Sequence, residues 1–222
     1  MCSCNLPIRL KSHSLNIMNK RFIWNFELDT EGAQVCEKPP PTSPDQNRWE
    51  ARFFWPESET VTIYGLNESF LDLSKYQIKK RDDTYLILPE TLLNLKIRRD
   101  LILYKPLIQR TSSGTLYGKK TKFKSMDDLL IPEDTGFNQQ ELIHQIKHVA
   151  IPVSLEKEAV TYKFSGPPKL SLEFARIRFK QQIYFSLSIE SKSLEWVQNF
   201  SKILLKNRYS TDYIDFIKNH ME

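Results

Sequence analysis

The chain has 222 residues, 40% of them hydrophobic and 27% charged, an ordinary globular composition that excludes a disordered or fibrous protein. Thirteen Phe, nine Tyr and four Trp can fill a core, whereas six glycines leave little for Gly-rich phosphate loops. The net charge is +5, and no apolar run approaches the roughly 18 residues needed to span a bilayer, so no membrane partner is expected. The first residues hold no apolar block of signal-peptide length, and Cys2, Cys4 and Cys36 all lie near the start, so a reducing, cytoplasmic setting is expected.

In chain order, residues 1–20 carry little pattern, and the aromatic stretch 21–28 is expected as a strand or a docking arm. Pro39, Pro40, Pro41 and Pro44 exclude a helix or central strand there, because each lacks an N–H and fixes φ. Residues 1–45 are therefore expected as an arm and stiff linker, and residues 46–222 as the folded domain. A first strand runs from Arg48 to Phe54 and ends by Pro56. Residues 67–75 suggest a short helix capped by Asn67 or Ser69, followed by extended pieces at 76–79 and 84–88. Residues 93–98 and 101–108 read as two strands of a hairpin turning at Arg99-Asp100, and 119–123 as an edge strand. Leu142, Ile143, Ile146 and Val149 recur at helical spacing over 138–148, and strand character returns at 151–164 and 170–190. Residues 193–205 are an amphipathic helix capped by Ser193, and 211–219 a last short helix. Seven or eight short strands without regular strand–helix alternation argue against a parallel doubly wound sheet. The expected class is α+β: an antiparallel eight-stranded tunnel-like β-barrel, closed or open, with helices packed outside.

The positive charge is concentrated. Nine basic residues lie between Lys96 and Lys124, with Asp100 the only acid among them. Strand side chains alternate with a period of two. Lys96 and Arg98 therefore point away from Leu95 and Ile97, and Lys105 shares a face with Leu101 and Leu103. In the first strand Arg48, Glu50 and Arg52 oppose Trp49, Ala51 and Phe53. Arg176 and Arg178 share a face with Leu172 and Phe174, opposite Glu173, while Ser186, Ser188 and Glu190 oppose Phe185, Leu187 and Ile189. In an open sandwich such faces would simply be wet. In a barrel they line a lumen, where facing cations need carboxylates, water or a polyanion.

These residues, in this order, resemble the CYTH superfamily, the triphosphate tunnel metalloenzymes. Arg48-Trp49-Glu50-Ala51-Arg52 stands where the family has Glu-x-Glu-x-Lys. Asp83-Thr84-Tyr85 matches its Asp-Thr-Tyr-type segment, and Lys96, Arg98 and Lys105 its basic strand pair. Lys157-Glu158-Ala159 stands for Lys-x-Arg, Ser188-Ile189-Glu190 for the late Glu-x-Glu, and Asp212 to Phe216 for the tail. The resemblance covers about residues 46–220 and implies a phosphorylated small molecule or polyphosphate as partner. It implies Glu50 and Glu190 as catalytic residues holding Mg²⁺ or Mn²⁺, with Arg52, Lys96, Arg98, Lys105, Lys157 and Arg176 binding phosphates. Carboxylate oxygens suit such hard cations, and metal-oriented water attacking a terminal phosphate makes a hydrolase.

Arg48, Ala159 and Ser188 depart from the family pattern, and they motivate an alternative, a non-catalytic phosphoryl-ligand sensor or adaptor on the same barrel. A further alternative is RNA binding through the basic surface at 96–124, where Phe and Tyr interleave with Lys. His144 and His148 share a helix face without an intervening Glu, and read as a solvated face rather than a metal site. The four tryptophans, Trp24, Trp49, Trp55 and Trp196, read as core or seal.

Overall fold

The computed structural model describes residues 20–30, 47–131, 138–164, 169–206 and 208–221. Cys2, Cys4, Cys36, His13 and the prolines at 39–44 lie outside the described residues. Ten strands form one curled antiparallel sheet: β3 (Arg48–Pro56), β5 (Gln77–Ile87), β6 (Asn94–Arg98), β7 (Leu101–Lys105), β8 (Leu107–Thr111), β9 (Gly114–Tyr117), β10 (Thr121–Phe123), β11 (Ile151–Lys163), β12 (Leu170–Phe179) and β13 (Gln182–Ser191). A second, three-stranded sheet joins β1 (Lys20–Ile23), β2 (Phe26–Asp29) and β4 (Val61–Ile63), with β2 and β4 parallel. The segment expected as a strand or docking arm is thus a hairpin. It places Ile23, Phe26 and Leu28 in the same core as Phe53, Trp55, Phe174 and Phe185.

The large sheet is a half-barrel with order β10-β7-β6-β5-β11-β12-β13-β3-β9-β8. Its two ends come together in one hairpin. β7 and β8 are separated only by Pro106, and β9 and β10 by residues 118–120, so two long strands each bend once and contribute to both ends. Proline cannot donate to the ladder, which is where the first strand breaks. Across the bend the Gly118 N–H donates to the Pro106 carbonyl at 2.9 Å. A Cβ on Gly118 would stand 3.1 Å from the Pro106 ring, so the close approach suits glycine. Counted as continuous strands, the ten segments reduce to the eight expected from the sequence.

Two hairpins turn through paired left-handed residues, Arg99-Asp100 (φ 48° and 60°) and Lys180-Gln181 (φ 52° and 76°), the backbone shape of a two-residue type I′ loop. The helix expected over 67–75 is instead two 3₁₀ turns, Glu68–Leu71 and Leu73–Lys75, capped by Asn67 and Asp72. β5 is one strand of 11 residues, where two short pieces were expected.

Helices α1 (Gln139–His148) and α2 (Leu194–Leu205) lie on the outside of the curve. Beneath α2 and the small sheet sit Ala51, Phe53, Leu172, Phe174, Leu187 and Ile189. Beneath α1 sit Leu86, Leu95, Ile102 and Tyr104. Trp55 is fully buried, and Trp24, Trp49 and Trp196 pack at the core's margin. The third helix, α3 (Tyr213–Asn219), packs against the inner face. Its Tyr213, Ile214, Phe216 and Ile217 are buried among Tyr85, Ile87, Val153, Leu155, Ala159, Ala175, Ile177 and Phe179. An apolar helix therefore fills one end of the interior and leaves the other end to polar side chains.

Candidate functional site

The open end of the interior is a cavity of about 460 Å³, within the range of small-ligand sites. Its walls are the same strands that hold α3, one or two turns of pleat further along. β5 contributes Lys79 and Arg81, β11 contributes Lys157, Thr161 and Lys163, and β12 contributes Ser171 and Glu173. β3 and β13 contribute Arg48, Glu50, Arg52, Ser188 and Glu190, and the bent hairpin with β6 contributes Lys96, Arg98, Lys105, Lys119 and Lys120. Among the described residues, eleven basic side chains line it against three carboxylates, Glu50, Glu173 and Glu190. That surplus of eight exceeds the whole chain's net +5, so the remaining surface carries no excess of positive charge.

Deep in the cavity the charges form connected pairs. The Glu50 carboxylate accepts from Arg52 Nε at 2.9 Å and from Lys105 Nζ at 2.6 Å. Arg52 also donates to Ser186 Oγ at 2.9 Å, reaches Glu173 Oε1 at 3.5 Å, and stacks over the Tyr213 ring. Glu173 in turn accepts from Lys157 Nζ at 2.8 Å and faces Arg81 at 3.8 Å. On the opposite wall Asp83 accepts from Lys96 at 2.8 Å and from Arg98 at 2.5 and 2.6 Å. At the mouth Arg48 Nε stands 3.3 Å from Glu190.

The protonation states follow from this pairing. Burial alone would raise the Glu50 carboxyl, but the Lys105 and Arg52 charges outweigh it and bring its pKa to about 2. Asp83 is likewise held at about 2, its burial outweighed by hydrogen bonds and charge from Arg98 and Lys96. Glu173 lies well below the usual carboxylate range, where Lys157 and Arg52 overcome its burial. Glu190 goes the other way, raised by burial and by the Glu50 charge opposite. Burial pushes the Lys96 ammonium down to about 7, with Lys157 and Arg98 adding to the effect and Asp83 opposing it.

The chain anchors this floor through α3. Asp212 caps the helix by accepting from Ile214 N at 2.8 Å and Asp215 N at 3.0 Å, and Arg110 grips the same carboxylate. Thr211 N donates to the Arg52 carbonyl at 2.7 Å, and Arg52 N donates to Ser210 Oγ at 3.0 Å. The segment entering α3 is thus stitched to the strand bearing Glu50 and Arg52, which sets Tyr213 under the guanidinium.

Of the residues singled out in the sequence, Glu50, Glu190, Arg52, Lys96, Arg98, Lys105 and Lys157 line this one cavity. Arg176 does not. It lies on the outer face of β12 with Leu172 and Phe174, across the sheet from Glu173, and its register partner is Glu158. Period-two alternation already separates Arg176 from Glu173, so the expectation valued its charge over its side of the strand. Lys79, Arg81, Lys119, Lys120, Thr161 and Lys163 were not singled out for the site. The signal for four of them, Lys79, Arg81, Thr161 and Lys163, is parity with Asp83 and Lys157 along single long strands, visible once β5 and β11 are read as unbroken.

The family resemblance implies a divalent metal on Glu50 and Glu190, which are register partners across β3 and β13. The donor set does not fit one. Both Glu50 oxygens are taken by Arg52 and Lys105, Glu190 faces Arg48, and among the described residues no group of three or more His, Cys, Asp or Glu side chains is placed to hold a metal. The His144 and His148 rings lie 4.5 Å apart and tilted by 45° on the exterior helix, and neither belongs to the cavity lining.

No family model matches the chain, and no curated protein matches it. Among solved structures it is similar to a Bacillus halodurans protein named "putative adenylate cyclase", at 10% identity and a TM-score of 0.40, covering 79% of this chain and 99% of that one. The fold rests on strand order and register, not on this likeness. No helix among the described residues is long and apolar enough to cross a membrane.

Proposed function

We propose that the chain binds a condensed phosphate, a triphosphate or polyphosphate-like anion, in this cavity and does so without turnover. The observation that carries this reading is the excess of cations in one hollow, eleven on the lining against three lining carboxylates and Asp83 behind Lys96 and Arg98. Like charges held in a partly dry space repel, and a polyanion relieves that cost while gaining charge-assisted hydrogen bonds. The sequence resemblance to triphosphate-binding proteins supports the same ligand class.

The lack of turnover follows from what occupies the carboxylates. A hydrolytic site of the family type needs oxygen ligands free to hold a hard cation. Here Lys105 and Arg52 already satisfy Glu50, and Arg48 stands in the place of a ligand. The geometry supports a sensor or adaptor that grips phosphoryl oxygens directly. RNA binding through residues 96–124 has less support, because Lys96, Arg98, Lys105, Lys119 and Lys120 face the cavity and Arg110 is engaged by Asp212 and Asp215.

Thermal unfolding with tripolyphosphate in EDTA tests this. The expected result is a rise in Tm that saturates with ligand. Phosphate release from tripolyphosphate or nucleoside triphosphates with Mg²⁺ or Mn²⁺ is expected to stay at background. Metal-dependent release that is lost in Glu50→Gln would replace the sensor reading with the hydrolytic one.

A further inference from the structure

The cations of the cavity fall into two populations. Those of the floor each have a carboxylate: Arg52 and Lys105 on Glu50, Lys157 on Glu173, Lys96 and Arg98 on Asp83. The other population, Lys79, Lys119, Lys120 and Lys163, lines the same cavity but makes no ion pair among the described residues, and of these Lys79 and Lys163 stand together at the rim on β5 and β11. They flank Thr161, which is only 5% exposed and whose hydroxyl has no hydrogen-bond partner among the described residues. A buried hydroxyl left without a partner is costly, and turning this cavity-lining side chain outward would let a ligand oxygen satisfy it.

The register brings these groups together. Lys79 pairs with Ala159, so Thr161 is its diagonal neighbour on the same face, roughly 7–8 Å away between backbones and within reach of a lysine. Ser171 lies directly opposite Lys163 across β11 and β12. Lys79 is also pushed below its ordinary pKa, first by burial and then by the charge of Arg81, as expected of a cation short of counter-charge.

We propose that Lys79, Thr161, Lys163 and Ser171 form a separate rim subsite for the distal phosphoryl group of a condensed phosphate, so that the chain distinguishes its ligand by length. The inference rests on the binding reading above. An inner phosphoryl group engages the floor, where five cations already share three carboxylates. A third phosphoryl group reaches the lysines that lack carboxylates and supplies the missing counter-charge. Orthophosphate or pyrophosphate seated on the floor does not reach them.

The test is calorimetric titration of tripolyphosphate and pyrophosphate into the full chain and into Lys79→Gln/Lys163→Gln. Lys202→Ala/Lys206→Ala, which removes two charges near the end of outer helix α2, is the control. The double rim variant is expected to lose about tenfold in affinity for tripolyphosphate while pyrophosphate binding changes less than about twofold. Lys79→Arg/Lys163→Arg is expected to keep the discrimination. Equal loss for both ligands, or the same loss in the α2 control, would reduce the effect to net charge and overturn the subsite. An unchanged tripolyphosphate affinity would overturn it as well. If the unmodified chain binds neither ligand, the binding reading itself falls, an outcome separate from failure of the subsite alone.

Discussion

The two ends of the barrel interior are built from the same strands and do opposite things. On β11, Val153 and Leu155 face α3, while Lys157, Thr161 and Lys163 face the cavity. On β12, Phe179 and Ile177 belong to the apolar end, and Glu173 and Ser171 to the charged one. On β5 the change falls between Ile87 and Arg81, with Tyr85 touching both environments. One inward face therefore carries two chemistries, and the level at which they change is set by the N-terminal turn of α3, where Tyr213 roofs the plug and underlies Arg52. The apolar end supplies packing energy, and the charged end spends little of it because its floor is paired. Ala159 marks where the two meet: it lies between Lys157 and Thr161 on β11, yet it is fully buried and belongs to the cluster that packs α3, opposite Ala175 on β12.

The comparison breaks if damage at one end spreads to the other. Phe216→Ala removes a ring stacked on Phe54 at 4.1 Å and should cost about 4 kcal/mol in denaturant unfolding. Tripolyphosphate affinity of the folded fraction should stay within about twofold. Glu173→Gln, at the charged end, strips the counter-charge from Lys157 and weakens that of Arg52 and Arg81, and should cost about 3 kcal/mol. Unlike the first loss, this one should be largely recovered by saturating tripolyphosphate, because the ligand replaces the missing charge; an equal loss with and without ligand would place the anion elsewhere.

Acid separates the two ends more gently. Glu50 falls from an ordinary 4.5 to about 2 on folding, so the unfolded chain binds more protons between those values. Its contribution is complete above pH 4.5, declines as pH falls toward 2, and amounts to about 3 kcal/mol. Asp83 acts in the same direction, from 3.8 to about 2. Glu50→Gln should flatten that acid limb in pH-dependent unfolding, whereas Phe216→Ala should shift the curve down without changing its shape. The smallest effect belongs to the hairpin turn at the apolar end. Gln181 has φ 76°, and Gln181→Gly should stabilise by about 0.5–1 kcal/mol without altering anion affinity.

Much of the charged end is legible in the sequence because period-two alternation is local. Glu50 with Arg52 and Lys96 with Arg98 land on one side wherever the strands go, and the structure brings them into one cavity. Helices α1 and α2 are legible for the same reason: their apolar spacing and the Asn138 and Ser193 caps are local signals. What is not legible depends on partners distant in sequence. Nothing local to 211–219 says that this helix enters the interior while 194–205 stays outside. The parallel pairing of β2 with β4, and the bend at Pro106 that lets one hairpin serve both ends of the sheet, are properties of register. Lys79 and Lys163 escape notice because charge on an unbroken strand looks like solvated surface until its facing is known.

The central claim, that cations turned into the barrel bind condensed phosphate directly, is tested most simply by titrating tripolyphosphate into the intact chain in EDTA at low and high salt. Saturable binding at one equivalent without any metal is expected, weakening steeply as salt screens the cavity. No heat at low salt, or binding that appears only when Mg²⁺ is added, would contradict it.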